Sequence, residues 1–342
     1  MQSMLSASFP TLAHRVLYSI HGAFVPFAPI PDATAPESAQ RDFYNFLQDL
    51  ITALYSDPSL LSLPADKDES EDSPADGKGY LDTRKLMRKI AKPVEDMYAV
   101  IHYIGTNSAL KDGALTIDAK QAKLNKSRIA LLEHVGISCK TQDGICTISS
   151  AKYPQIAEGW VAACAAQSNL SMLARGILAP NDDVILNLFV ELTKQQGSDI
   201  SPYLPYLREN LAFTYKINFE ISEIHFKNSV SGFIIHFDRR FFHQMDYGIM
   251  NHINFKKILV DFEILDEHFR DFIVKACRGC TNCRACTKGN EKVDVYVRPA
   301  WHRGVDYALC PSFPQFGWKN MDADLMRDVV MCIELQEKYG AK

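Results

Sequence analysis

Ten residues near the C-terminus read Cys277-Arg-Gly-Cys280-Thr-Asn-Cys283-Arg-Ala-Cys286, and Cys310 follows further on, ahead of Pro311. Five of the nine cysteines therefore fall between positions 277 and 310. Thiolates separated by two residues close on one ion, because a tight turn brings both sulfurs to the same side. Clustered cysteines of this kind point to metal binding in a reducing compartment rather than to a disulfide framework. The pattern supports a metal site and names no reaction.

The flanking residues decide which four cysteines bind. Asp266 reads as a helix N-cap, and Phe269, Phe272, Ile273 and Ala276 follow at helical spacing. That spacing predicts Cys277 in the last helical turn, with Gly279 as the left-handed residue that stops the helix. Cys280, Cys283 and Cys286 then lie in a loop, and Cys310 is their fourth partner at the end of a hairpin. The set is C-x2-C-x2-C-x23-C-Pro, with Cys277 as a substitute ligand. Zinc takes four thiolates tetrahedrally and ties a loop to a neighbouring hairpin, a zinc-ribbon-like arrangement. The spacing also resembles that of single-cluster ferredoxins, and the resemblance implies a [4Fe–4S] cluster as the alternative cofactor. The residues between the thiols, Thr281, Asn282, Arg284 and Ala285, and the run from Thr287 to Lys292 are mainly polar or small. A cluster is expected in a more apolar wrapping, so zinc is preferred.

Length and composition set the frame. A chain of 342 residues has room for two or three domains, and 47% apolar with 23% charged residues is ordinary globular composition. A net charge of −4 gives no overall bias toward nucleic acid or anionic lipid, so local charge must carry any such argument. No apolar run approaches a membrane span, and the N-terminus lacks a basic region leading into an apolar core. A cytoplasmic protein is expected.

Along the chain, Phe43, Leu47, Leu50, Ile51 and Leu54 form a helical stripe, preceded by a segment broken by Pro26, Pro29, Pro31 and Pro36. His14 and His21 are read as structural. Residues 65–79 hold six acids and no large apolar side chain, the composition of a linker. Arg84, Lys85, Arg88, Lys89 and Lys92 form two adjacent cationic rows on a helix, a candidate contact for DNA or an acidic protein partner. Pro93 is expected to start a second helix with Val94, Met97, Tyr98, Ile101 and Ile104 buried.

From Leu115 to Ala166 the pattern is strand, helix, hairpin, helix. The hairpin joins Ile137–Thr141 to Ile145–Ser149 through Asp143-Gly144, and Gly136 closes the helix before it. This reads as a winged-helix-like unit, a fold that serves either DNA binding or plain protein interaction; in a DNA-binding version the helix near Lys123, Lys126 and Arg128 would face the major groove. Cys139, Cys146 and Cys164 are expected in the core. Further on, Val184, Ile185, Leu188, Phe189 and Leu192 mark a helix. Ile217, Phe219 and Ile221 alternate, as do Phe233, Ile235 and Phe237, and together they predict a hairpin. Ile258, Val260, Phe262 and Ile264 predict a third strand. Arg239-Arg-Phe-Phe-His243 mixes cations with aromatics, as single-strand binders do, but is more often the rim of a core. Val293, Val295 and Val297, then Val305, Tyr307 and Leu309, make a final hairpin; His302 sits at its turn, where a ligand or catalytic-base role competes with the commoner solvent-facing one. Leu325, Val329, Val330 and Ile333 predict a closing helix.

The expected fold class is therefore α+β and multidomain. It comprises a helical N-terminal segment over 1–64, an acidic linker over 65–79, a helical and winged-helix-like domain over 80–178, and an α+β domain over 179–342 carrying the cysteine site. No Gly-rich phosphate loop, nucleophile elbow or H-E-x-x-H is present. The preferred reading is a non-enzymatic binding or regulatory protein with a structural zinc. An iron–sulfur redox protein and an enzyme acting through the cysteine loop are the competing classes.

Overall fold

The structure, a computed structural model, describes residues 11–21, 23–63, 78–195, 199–219, 221–227, 232–238, 245–249, 258, 260–279, 298–314, 317–318, 330–331, 333–335 and 337–339. The chain is mixed α+β, with many helices and small antiparallel pairings, and it divides into two compact units. The first comprises Met1–Gln195, Ile217–Ser222 and Asp238–His243, and the second Gln196–Lys216, Glu223–Phe237 and Gln244–Lys342.

In the first unit, helices α1 (Leu12–His21), α2 (Glu37–Ser56), α3 (Lys78–Asn107), α4 (Lys126–His134) and α5 (Ile156–Ala166) share one apolar core. Phe43, Leu47, Leu50, Ile51 and Leu54 are all buried, as the stripe predicts. Trp160 of α5 stacks on Phe46 at 5.0 Å between ring centroids, and its indole N–H donates to the Ile101 carbonyl at 2.7 Å. The proline-broken segment is held by Gln40. Its amide oxygen accepts from the Ile30 N–H at 2.7 Å and its amide nitrogen donates to the Ala35 carbonyl at 2.9 Å. The two histidines are structural here. His14 meets Thr11 and lies edge-on to Tyr55, and His21 is buried against Tyr98.

Helix α3 corrects one expectation. Pro93 does not start a helix but lies inside a continuous one. An interior proline costs about 3 kcal/mol through its lost N–H and its clash with the preceding turn. Met87 and Ile90 before it, and Val94, Met97, Tyr98, Ile101 and Ile104 after it, are all buried in the same core. Each such side chain contributes roughly 1.5–3 kcal/mol on burial. The sum on both sides outweighs the break.

Strands β1 (Ala109–Lys111), β2 (Ala114–Asp118), β3 (Ser138–Gln142) and β4 (Ile145–Ser149) form an antiparallel sheet in the order β1-β2-β4-β3. Helix α4 is inserted between β2 and β3, capped by the Asn125 side chain, which accepts from the Arg128 N–H. The β3–β4 turn has φ of 51° at Asp143 and 82° at Gly144, the left-handed pair that a two-residue hairpin requires. Short helix α6 (Leu170–Leu173) and helix α7 (Asp182–Gln195) complete this unit's chain.

In the second unit, α8 (Leu204–Asn210) precedes a five-stranded sheet. Its members are β5 (Ala212–Ile217), β6 (Ile221–Lys227), β7 (Gly232–Asp238), β8 (Met245–Ile249) and β12 (Gly317–Trp318), in the order β12-β8-β7-β6-β5. The alternation from Ile217 to Ile221 is thus split between two strands. The segment Ile258–Ile264 is not a strand. The Asp261 N–H bonds to the Ile258 carbonyl and the Ile264 N–H to the Asp261 carbonyl, two tight turns that bury Ile258 and Phe262 and expose Val260 and Ile264. Helix α9 (Glu267–Ala276) leads into a three-stranded sheet of β9 (Cys277–Gly279), β10 (Arg298–His302) and β11 (Val305–Pro314), in the order β10-β11-β9.

Candidate metal centre

The central strand of this last sheet is β11, and Leu309 is its pivot. Arg298 of β10 pairs with Leu309 on one side, and Gly279 of β9 pairs with it on the other. Gly279 and Arg298, which bound segment 280–297, therefore flank one residue, at two points about 10 Å apart by strand spacing. Three of the four expected ligands, Cys280, Cys283 and Cys286, belong to that segment, and the fourth, Cys310, directly follows Leu309.

Cys310 also opens an irregular stretch. Between the Leu309–Gly279 and Pro314–Cys277 pairs, β11 advances much further than β9, so it bulges over residues 310–313. Pro311 has no N–H to give a ladder, and a bulge in a central strand accommodates it. Cys277 and Gly279 correct the sequence reading. They form strand β9 rather than the last helical turn and its left-handed stop, because pairing with β11 satisfies their backbone groups.

The neighbouring hairpin is fastened to α9. At the β10–β11 turn, φ is 49° at Arg303 and 79° at Gly304. His302, expected to face solvent, is only 4% exposed and lies edge-on to buried Phe262. Its Nε2 is 2.6 Å from Asp271 Oδ1, and Arg303 donates to Asp271 Oδ2 at 2.7 Å and pairs with Glu267 at 3.2 Å. The hydrogen bond to His302, and then the Arg303 guanidinium, hold the Asp271 carboxyl below its ordinary range. With Nε2 committed to Asp271, this histidine anchors helix to hairpin. Asp271 was invisible in sequence because its partners lie some thirty positions away, and only the helical spacing of Glu267 and Asp271 hinted at a shared face.

No protein-family model, curated protein or solved structure matches this chain.

Of the expected ligands, Cys280, Cys283 and Cys286 lie outside the described residues, and Cys277 and Cys310 are placed by their backbones. Among the described residues no group of three or more His, Cys, Asp or Glu is gathered to hold a metal ion. Most of the acidic linker, Arg239–His243, Val293, Val295 and Val297, and Leu325, Val329 and Cys332 also lie outside the described residues. Residues 330–331, 333–335 and 337–339 are helical. Cys146 and Cys164 are buried and Cys139 half-buried. A hydrogen bond between the Cys139 and Cys146 thiols pushes Cys139 up and pulls Cys146 down.

The cationic rows are on α3. Arg88, Lys89 and Lys92 are exposed, and Lys92 pairs with Asp96 at 2.8 Å. The backbones of Arg84 and Lys85 continue the same helix. In the strand–helix–hairpin segment, Lys123 and Lys126 are exposed at the start of α4, and Lys140 is exposed on β3. Arg128 donates to the Lys123 carbonyl at 2.9 Å, which fastens the turn to the helix. Among the described residues no helix is long and apolar enough to cross a membrane.

Proposed function

We propose that this chain is a cytoplasmic, non-enzymatic binding or regulatory protein stapled by a structural zinc ion on Cys280, Cys283, Cys286 and Cys310. The observation that supports it is the double pairing of Leu309, which returns both ends of 280–297 to within a residue of Cys310. Four thiolates brought to one ion would repel one another without it, and a divalent cation would neutralise them while tying the segment to the strand. Metal binding of this kind contributes folding free energy on the order of 10 kcal/mol in isolated zinc-binding peptides. Cys277, paired with Pro314 at the far end of the bulge, is the substitute ligand. The zinc-ribbon-like description rests on this loop-and-hairpin geometry. A [4Fe–4S] cluster takes the same four thiolates and is the competing cofactor. Metal analysis of anaerobically purified protein separates them. One zinc per chain without visible absorption supports the reading, and a brown protein with about four irons overturns it.

The binding role has a second support. In the first unit β2, β4 and β3 lie side by side, with α4 inserted before β3 and a tight turn at Asp143-Gly144, which is the strand adjacency of a winged helix. Lys123, Lys126 and Lys140 give this segment its exposed cations. DNA or an acidic protein partner would meet this face, or the rows of Arg84, Lys85, Arg88, Lys89 and Lys92 on α3.

A further inference from the structure

We infer that the second unit holds a small alkylammonium ligand in an open aromatic groove with Glu334 at its rim. The groove has a volume of about 450 Å³. Tyr203 and Tyr206 enter it from α8 and the turn before it, His268 from the first turn of α9, and Met331 and Glu334 from the helical residues near the C-terminus. Both tyrosines are half-buried and line the groove.

Two carboxylates lie near one end of the groove. Burial first, and then the nearby carboxylates of Glu334 and Glu337, raise the Tyr206 phenol above its ordinary range, so both acids act on this end of the groove. Among the described residues no lysine or arginine lines it and neither glutamate forms an ion pair. Aromatic faces carry negative charge at their centres and attract an ammonium group shed of its water, while a carboxylate at the rim supplies the counter-charge. A neutral ligand of the same shape would gain the apolar contact and lose both electrostatic terms. An anion would meet repulsion from Glu334 and Glu337. The occupant that fits is a methylated amine with an apolar envelope and a full positive charge. This inference is independent of the metal reading, since none of these residues belongs to the cysteine segment.

The test uses the full chain and calorimetric titration with choline, set against its uncharged isostere 3,3-dimethylbutan-1-ol. Choline is expected to bind saturably and at least about tenfold more tightly than the isostere, the scale of one desolvated cation–π contact. Glu334→Gln, an exposed site whose change leaves the fold intact, should weaken choline about three- to tenfold and leave the isostere unaffected. Tyr206→Leu should abolish the preference for charge, with its melting curve read alongside to confirm that the unit is folded. Equal binding of choline and isostere, or choline binding unchanged in Glu334→Gln, overturns the proposal.

Discussion

Gly159 of α5 and the carbonyl of Ala39 on α2 meet backbone to backbone, so closely that a methyl group on Gly159 would overlap that carbonyl. The contact lets α5 sink between α2 and α3, where Trp160 fills the space beside Phe43 and Phe46. Neither helix has a flexible side chain at this point that can move away. Gly159→Ala should therefore destabilise the first unit by about 1–3 kcal/mol, even though alanine is the better helix former. Urea unfolding followed by tryptophan fluorescence, with Trp301 and Trp318 replaced by phenylalanine so that Trp160 alone reports, measures it, and a neutral or stabilising effect would show that the two helices separate readily.

Metal removal should act locally. Cys280→Ser, Cys283→Ser, Cys286→Ser and Cys310→Ser are each expected to lose the ion or weaken it severely, whereas Cys277→Ser should retain it. Chelation should speed hydrogen exchange in β9 and β11, whose pairing brackets the segment, and leave the amides of α5 protected. Full zinc retention by Cys310→Ser would detach the hairpin from the site.

Acid should loosen the link between α9 and the hairpin. The Asp271 carboxyl is held below its ordinary 3.8 in the folded chain, so it binds a proton less readily folded than unfolded. Its stabilising contribution is complete above that value and is lost as pH falls through the lowered one. Asp271→Asn should melt below the parent protein at neutral pH, with the gap closing in strong acid. A gap that stays constant with pH would assign Asp271 a purely geometric role.

If the winged segment contacts DNA, Lys123→Glu, Lys126→Glu and Arg128→Glu together should abolish retardation of duplex DNA and flatten the salt dependence of any residual binding. The melting temperature should fall slightly, because the Arg128 bond to the Lys123 carbonyl goes with it. Undiminished DNA binding by this variant would move the contact to α3 or remove it.

Much of the first unit was legible because its signals are local. The Asp143-Gly144 turn, Gly136 after α4 at φ 93° and the stripe from Phe43 to Leu54 each follow from a few neighbouring residues. The Asp112-Gly113 turn carries the same signature, with φ of 52° and 72°, and would have given the β1–β2 hairpin. What misled was local chemistry overruled from a distance. Pro93 reads as a boundary until the burial on both its sides is counted, and Ile258–Ile264 reads as a strand until its tight turns are seen. In the candidate site, the cysteine spacing was legible. The burial of His302 and the pivot at Leu309 depend on sheet register and on a helix packed beside it, and no window of sequence contains either.

That pivot has a consequence for engineering. Because Gly279 and Arg298 are both paired to Leu309, the sheet is already closed around segment 280–297. A bridge of about four glycine and serine residues spans the gap at ~3.4 Å per residue. Exchanging the whole segment for such a bridge should keep the β10-β11-β9 register and the His302–Asp271 contact, with faster exchange in β9 and β11 because the metal is lost. Metal-binding loops of other lengths should graft onto the same two posts.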